Sequence, residues 1–549
     1  MPHASMPSPP HQPRPFTHAV RVVAFFTAIS RFGGLIRDVA TARIFGSTPL
    51  NSAFAFAFLL PSITRRLVGE GALAAAFIPE YASLDQHDPQ RAPRFASLAL
   101  ALVAIASTAL TLLAEAAILA ALLLLPRDPE RTTTLALTAL MLPYIPLVCA
   151  SAILGAMLQV HHRFGPSAAS PVILNTAILA TVAAAYFLLD LSPSATAYAV
   201  AAAIVLSGIA QVAWCASILR AHTAWTRDFS PAADNARRAA RNFLPTLLGL
   251  GSLHINTAAD GAIASVPLLL GPTILGFTYP LDDLSSGLLS ATQRLYQFPL
   301  GVFGIAVATA VFPALSRAAP ADPRAFTDLL RRGLRLSLFI SLPASAGLLL
   351  VGEDLARILF KSQHFTEAAV VRCGALITGY ATAVWAYSAN QVLARACFAK
   401  GDTRAPMRTA IACAALNIAL NLALVWVPAI GETALAWSTA IAAIAQAAML
   451  AAAARAHTDD AALLDREARR AIIAIAACAG AMTAAVALTL ALLPHTPAAE
   501  PSAARSALRL AAALAVGLAS YAALALAARR PEPRWLLRPS AHEPADPSR

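Results

Sequence analysis

The chain has 549 residues, 58% of them hydrophobic, against roughly 45–50% apolar usage in soluble domains even with glycine counted. Charged residues make up only 13%, about half the usual share, which excludes a single soluble core and a soluble nucleic-acid-binding domain. The 41 Lys and Arg against 29 Asp and Glu leave a formal charge of +12, which has to be explained some other way.

The apolar residues fall in long blocks, each able to cross a hydrocarbon layer of ~30 Å that takes about 20 helical residues. The chain therefore reads as an all-α polytopic membrane protein. Residues 1–17 are rich in Pro, His and Ser, lack the order of a cleaved signal peptide, and read as a disordered cytoplasmic tail. Spans follow near 18–44, 50–81, 95–125, 132–160, 168–190, 194–219, 242–267, 283–314, 333–351, 367–394, 407–427, 432–454, 470–493 and 506–528, about 14 transmembrane helices in all. Between 265 and 295, Gly271, Pro272, Pro280, Asp282 and Asp283 interrupt the pattern, and the segment reads as an outer loop or a broken helix. From Asp322 to Arg335, Phe326, Leu329 and Leu330 oppose Arg331, Arg332 and Arg335, which predicts an amphipathic stretch along the inner surface before its span. Beyond Arg529 the chain is Pro-rich and charged and is expected to be disordered, leaving 529–549 as a second cytoplasmic tail.

With the first residues inside, the alternate loops predicted as cytoplasmic hold about 28 of the 41 Lys and Arg and the opposite loops about 8. Both termini are thus expected in the cytoplasm. The excess positive charge is then a matter of topology and anionic headgroups, with no nucleic acid needed. Arg31, Arg37, Arg65, Arg66 and Arg294 remain, each within or at the edge of a span. An intramembrane arginine costs several kcal/mol unless it faces water or a partner, so it is a functional candidate, with snorkelling to a headgroup as the alternative. Arg65 and Arg66 project about 100° apart and cannot share one cavity, while Arg66 precedes Glu70 by four residues and can pair with it.

Few acidic residues lie in the same segments, so internal neutralisation of all these arginines is not expected and an anionic ligand is. Guanidinium matches phosphate and carboxylate in a bidentate manner and stays charged, which favours a pyrophosphate head group. The sequence holds no GxxxxGK[ST] loop, HExxH or GxSxG elbow, so neither an ATP-driven pump nor a hydrolase is indicated. A gradient or the membrane potential is left as the driving force. The six cysteines, Cys149, Cys215, Cys373, Cys397, Cys413 and Cys478, form no CxxC pair and read as small buried hydrophobes. His161 and His162 fall in a predicted cytoplasmic loop and read as solvated rather than as ligands.

Several blocks resemble one family. Ser30-Arg31-Phe32-Gly33-Gly34-Leu35-Ile36-Arg37-Asp38, then Ala42-Arg43-Ile44-Phe45-Gly46, then Arg65-Arg66-Leu67-Val68-Gly69-Glu70-Gly71-Ala72 and Ala76-Phe77-Ile78-Pro79-Glu80-Tyr81 are similar to the N-terminal signature of the MurJ/MviN lipid II flippases. Arg163-Phe164 with Pro166, Pro171 and Asn175, the run Arg294-Leu295-Tyr296-Gln297-Phe298-Pro299, and Gly401-Asp402-Thr403-Arg404-Ala405-Pro406 follow in the family's order.

The resemblance implies a member of the multidrug/oligosaccharidyl-lipid/polysaccharide exporter superfamily in the bacterial cytoplasmic (inner) membrane. Its expected parts are two pseudo-symmetric six-helix lobes, at 18–222 and 237–456, plus two C-terminal helices at 468–528 forming a lipid-facing groove. The implied activity is flipping of lipid II, the undecaprenyl-pyrophosphate-linked peptidoglycan precursor, by alternating access through a cationic central cavity. Arg31, Arg37, Arg65 and Arg294 occupy the family's substrate-binding positions, and Glu70, Arg66 and Asp38 are gate or structural residues. Membrane lipids and cell-wall synthesis proteins are the other implied partners. Ser52, Leu59 and Gln293 depart from charged residues common in the family, so gate salt bridges available to relatives are missing. Some members hold Na+, and the positions most like its ligands are Asn256, Asn417 and Asn421, with Asp260 able to restore a charge. Interhelical hydrogen bonding is the competing reading of these amides.

Four alternatives compete with lipid II flipping. A flippase for another polyprenyl-linked oligosaccharide would use the same arginines. A cationic-drug exporter would need an acidic cavity, and a polyprenyl-phosphate glycosyltransferase or phosphatase would need clustered Asp and His, which the spans lack. A scaffold that does not transport would tolerate loss of the arginines.

Overall fold

A computed structural model describes residues 14–67, 73–221, 223–229, 232–274, 276–299, 304–458, 462–493 and 502–537. In chain order the helices are α1 (Arg14–Phe45), α2 (Pro49–Thr64), α3 (Leu73–His87), α4 (Ala92–Leu124), α5 (Pro129–Met141), α6 (Tyr144–Val160), α7 (Gly165–Phe187), α8 (Pro193–Leu219), α9 (Ala233–Ala264) and α10 (Val266–Leu270). After the two-residue strands β1 (Thr273–Ile274) and β2 (Phe277–Thr278) come α11 (Ser285–Pro299), α12 (Ile305–Ala321), α13 (Pro323–Phe360), α14 (Glu367–Ala381), α15 (Val384–Ala399), α16 (Arg404–Leu424), α17 (Thr433–Arg455), α18 (Arg466–Leu492), α19 (Ala503–Ala527) and α20 (Glu532–Leu537). The chain is an all-α polytopic membrane protein: among the described residues ten helical segments are long and apolar enough to span a bilayer.

Local chemistry sets the ends and breaks of these helices. Ser192, Asp322, Thr366, Asp465 and Ser502 cap α8, α13, α14, α18 and α19 by accepting from backbone N–H groups of the first turn. Pro143 separates α5 from α6 inside what hydropathy reads as one span, and a turn at Thr382 and Ala383 separates α14 from α15. Gly46 ends α1 at φ +72°, a conformation that glycine adopts without strain. In the ambiguous 265–295 segment the short helix α10 leads into an antiparallel hairpin pairing Thr273 with Thr278 and Ile274 with Phe277, and helix resumes at Ser285.

Two expectations are corrected. The amphipathic stretch 322–335 is no separate surface helix but the opening of α13, whose 38 residues extend ~57 Å at 1.5 Å per residue. Two of its arginines are buried and bonded within the protein, while Arg332 is exposed. Arg331 donates to the carbonyls of Leu463 (2.9 Å) and Ala462 (3.1 Å), and Arg335 to Glu532 (3.0 Å) and Glu467 (3.1 Å). The Arg335–Glu532 contact bears on the second correction: residues 532–537 form α20, whose fully buried Glu532 anchors it to α13, with Arg530 also on Glu532. Residues 1–13 and 538–549 of the two expected tails lie outside the described residues.

Contacts divide the chain into two compact units. The first holds the described residues up to Arg37 and those of Pro61–Leu124 and Ala139–Leu247, and the second holds Asp38–Leu60, Leu125–Thr138 and the described residues from Leu248 onward. The division passes through α1 and α2, so the C-terminal end of α1 and most of α2 belong with the later helices. In the first unit, α3, α4, α6 and α8 share a core in which Phe77 stacks on both Tyr81 and Phe95. In the second, α12, α13, α15 and α17 meet around Leu315, Phe326, Leu330, Val392 and Leu450. Val351 of α13 packs on Met482, Val486, Leu490 and Ala513 of α18 and α19, joining the C-terminal pair to this unit. All six cysteines are free and buried, as expected of small hydrophobes.

Candidate functional site

Within the first unit, α1 presents Arg31 and Arg37 to different surroundings. Arg31 is exposed, whereas Arg37 is 6% exposed and donates from Nη1 to Asn175 Oδ1 on α7 at 2.9 Å. The Asn175 amide returns a bond from Nδ2 to the Ser30 carbonyl at 3.0 Å, so one side chain fixes both the arginine and the α1 backbone. Close approach is allowed because Gly33 and Gly34 face Asn175, and a Cβ at either would lie within 3.7 Å of that side chain. Arg65 and Arg66 are half-buried in the π-helical turn that follows α2. The expected partner Glu70 lies outside the described residues, so the Arg66–Glu70 pairing does too.

Within the second unit, Arg294 of α11 pairs with Asp38 of α1, Nε to Oδ2 at 2.8 Å, with side-chain exposures of 30% and 18%. Arg294 is thus one of the intramembrane arginines that does have an internal counter-charge. A half-buried carboxylate beside it lowers the cost of holding the charge away from water. The departures from the family pattern have structural replacements nearby. Ser52, fully buried, accepts the Gly287 N–H at 2.9 Å, and a Cβ on Gly287 would crowd Asn51 and Ser52 at 3.0 Å. Leu59 packs on Gly261 so tightly that a Cβ there would meet its Cδ2 at 2.8 Å, and Gln293 donates to the Tyr380 hydroxyl at 3.5 Å. Hydrogen bonds and glycine contacts thus hold these three positions.

The suspected cation ligands converge in part. Asp260 accepts from Asn421 Nδ2 at 2.6 Å and from Thr439 Oγ1 at 3.1 Å, and all three are buried, with Asn417 against Thr439 and Asn421. The Asn417 amide satisfies its neighbours better when turned by 180°, donating to Asp260 and accepting from Thr439. Asn256 does not join by hydrogen bonds. It lines a small cavity with Thr439, Tyr387, Cys413 and Gln446. Thr439 was missed in sequence because one threonine in an Ala-rich helix carries no signal.

A second unforeseen feature is a cavity of about 720 Å³ lined by Glu130, Asp282, Asp283, Arg372, Glu432 and Tyr279. Arg372 bridges Asp282 (2.7 Å) and Glu432, with Ser285 also accepting from it. Burial alone would raise the Asp282 carboxyl, but the bonds and charge of Arg372 outweigh it and hold the carboxyl below its ordinary range. His161 is likewise engaged rather than solvated, its Nε2 lying 3.0 Å from the Tyr81 hydroxyl, while His162 is exposed.

A family model described as lipid II flippase MurJ matches residues 41–497. The chain belongs to the MurJ family. A probable lipid II flippase MurJ of Rhizobium meliloti (strain 1021) is 30% identical over 403 residues, covering 72% of each chain. One from Vibrio cholerae is 28% identical over 450 residues, covering 78% of this chain and 81% of that one. Among solved structures, a lipid II flippase MurJ in an inward closed conformation superposes with a TM-score of 0.73 at 20% identity, covering 92% of this chain and 99% of that one. An inward-facing multidrug resistance MATE family transporter of the MOP superfamily gives 0.62 at 12% identity, covering 79% and 97%. The fold is thus that of MurJ and of MATE transporters.

Proposed function

We propose that this protein flips lipid II, the undecaprenyl-pyrophosphate-linked peptidoglycan precursor, from the inner to the outer leaflet of the bacterial cytoplasmic membrane by alternating access. The observation that carries the reading is the MurJ family match over residues 41–497. In it, Arg31, Arg37 and Arg65 of the first unit bind pyrophosphate and other acidic groups of the substrate, as does Arg294 of the second. Asn175 keeps Arg37 in one rotamer, so less freedom is lost when an anion docks. The work asked of these side chains is binding and release, so no catalytic group is assigned and the protein is a transporter rather than an enzyme. The Lys and Arg bias of the loops supports cytoplasmic termini, which puts the C-terminal end of α1 at the outer face.

The Asp260 cluster fits a hard monovalent cation: one carboxylate, two amides and one hydroxyl, with the buried Asn421 Oδ1 lacking a hydrogen-bond partner among the described residues. Asp260, Asn417, Asn421 and Thr439 would hold it, and it would balance the buried carboxylate. The membrane potential is the other driving force consistent with a charged head group.

The test is complementation of a cell depleted of its own lipid II flippase, with wild type beside Arg31→Ala, Arg65→Ala and Arg294→Ala. Lipid II exposure at the outer leaflet and membrane levels are both measured. Rescue by wild type and loss in well-expressed variants is the expected result. Rescue by all three variants would remove the arginine mechanism, and no rescue by well-inserted wild type would move the substrate to another polyprenyl-linked glycan.

A further inference from the structure

The end of α1 and the turn after it, residues 43–48, lie on the α13–α14 turn through a dense set of polar contacts. Arg43 donates from Nε to the Leu359 carbonyl (2.7 Å) and from Nη2 to the Ile358 carbonyl (2.6 Å). These belong to the last turn of α13, where a helix leaves carbonyls without intrahelical partners and where positive charge is favoured. The contact is reciprocal, since Ser362 Oγ donates to the Arg43 carbonyl at 2.9 Å. Four residues after Arg43, the Ser47 N–H donates to the His364 carbonyl (2.9 Å), the Thr366 N–H to Ser47 Oγ (3.0 Å), and the two hydroxyls lie 3.2 Å apart. Gly46 sits between them at φ +72°, where a Cβ would come within 2.2 Å of the His364 carbonyl oxygen. Only glycine lets the turn lie this close.

We propose that residues 43–48 are a latch on the outer face, with Arg43 as its positioning residue, and that the latch parts from the α13–α14 turn during each transport cycle. This rests on the transport reading and on its orientation. Three features favour a latch over a permanent joint. The contact is made almost entirely of backbone carbonyls and hydroxyls, which water can replace on opening at little cost. Arg43 itself is exposed, so its guanidinium can exchange the two carbonyls for solvent without a desolvated intermediate. The apolar residues that follow, Ala53, Phe54 and Ala57, are buried within the same unit, so parting of the polar strap would come before any change in that packing.

Ser47 and Thr366 offer the test, because their side-chain oxygens are within 3.2 Å and the six native cysteines are all buried. In Ser47→Cys/Thr366→Cys, an oxidant applied from outside should close a disulfide across the latch. Transport in flippase-depleted cells should then fall in proportion to the cross-linked fraction and return on reduction. In parallel, Ser52→Cys, at a fully buried position in the first turn of α2 that follows the strap, reports opening by its reaction with a membrane-impermeant thiol reagent. Adding Arg43→Ala or Gly46→Ala should speed that labelling by at least about fivefold, while Arg43→Lys, which keeps the charge, should be intermediate. Full cross-linking with undiminished transport would overturn the proposal, as would unchanged Ser52→Cys labelling in both Arg43→Ala and Gly46→Ala. If reduced, uncross-linked protein also fails to transport lipid II, the functional reading fails instead, and the labelling rates still decide the latch.

Discussion

Asp38 and Arg37 are neighbours on α1 yet serve different partners: Arg37 reaches Asn175 at 2.9 Å, and Asp38 takes Arg294 at 2.8 Å. Consecutive residues on a helix project about 100° apart, so the two side chains reach partners on different helices, α7 and α11. Arg294 is therefore held by a carboxylate before any substrate arrives. An acidic head group that binds it must compete with Asp38 or share the guanidinium fork with it.

That competition is testable by exchanging the charges. Asp38→Asn is expected to leave Arg294 half-buried without its carboxylate, at a cost of about 1–3 kcal/mol, and to lower transport strongly at normal membrane levels. Asp38→Arg/Arg294→Asp restores an ion pair in reversed order. If Arg294 does no more than pair, the exchange recovers transport. If it also binds the anionic head group, the exchanged protein stays inactive while its thermal midpoint returns toward wild type, and that is the outcome expected here.

Asn175 should behave as a positioning residue for Arg37. Asn175→Leu removes the acceptor and leaves a buried guanidinium without it, so both stability and transport are expected to fall. Asn175→Asp keeps an acceptor and adds a negative charge that neutralises Arg37, so stability is expected to recover while transport does not. Thermal midpoints of the purified variants, measured beside lipid II exposure in cells, separate the two effects. Equal loss of transport and stability in both variants would reduce Asn175 to a structural role.

Sequence made the spans legible because lipid imposes a length and an apolarity that hydropathy reads directly. It exposed Arg31, Arg37, Arg65 and Arg294 for the same reason, since a charge in an apolar run stands out. It did not show which charges are paired. Arg37 and Asn175 are 138 positions apart, and nothing local to either marks the contact. Asp322–Arg335 failed for a related reason: an alternating charged and apolar face looks the same whether it meets headgroups or the carboxylates of Glu467 and Glu532. Thr439, Ser52 and Arg43 act through single hydroxyls or carbonyl contacts, which leave no periodic trace. Proline and glycine breaks at Pro143 and Gly46 were visible as residues, but their effect on the helices depends on packing.

The cluster of Asp282, Arg372 and Glu432 predicts an acid-side loss of stability. The Asp282 carboxyl is held below its unfolded value of about 3.9, so its contribution is complete above about pH 4 and is lost as pH falls through the lower folded value. Arg372→Gln removes the cause. The variant should be less stable than wild type at pH 7, and the difference should narrow below about pH 4 as the carboxyl protonates in both. Thermal midpoints across pH 3 to 7 in a fixed detergent would read this. A difference that stays constant over the range would assign the effect of Arg372 to packing.

Asp260 decides whether the buried polar cluster is a cation site or a set of interhelical hydrogen bonds. As it stands, Asn421 and Thr439 donate to both carboxylate oxygens, which stabilises the negative charge without any cation. Presenting amide oxygens to a cation instead requires Asn417 and Asn421 to turn, with the Asn421 bond to Asp260 given up. If Na+ binds, wild type should be stabilised by sodium chloride over an equal concentration of choline chloride, by about 1.4 kcal/mol at tenfold excess over the dissociation constant. Asp260→Asn should abolish the difference, and Thr439→Ala should weaken it. Asn256→Ala should leave it nearly intact, since Asn256 makes no hydrogen bond to the cluster. A wild type that responds equally to both salts would leave Asp260 as a hydrogen-bond acceptor joining α9, α16 and α17. Asp260→Asn should then cost stability in either salt alike.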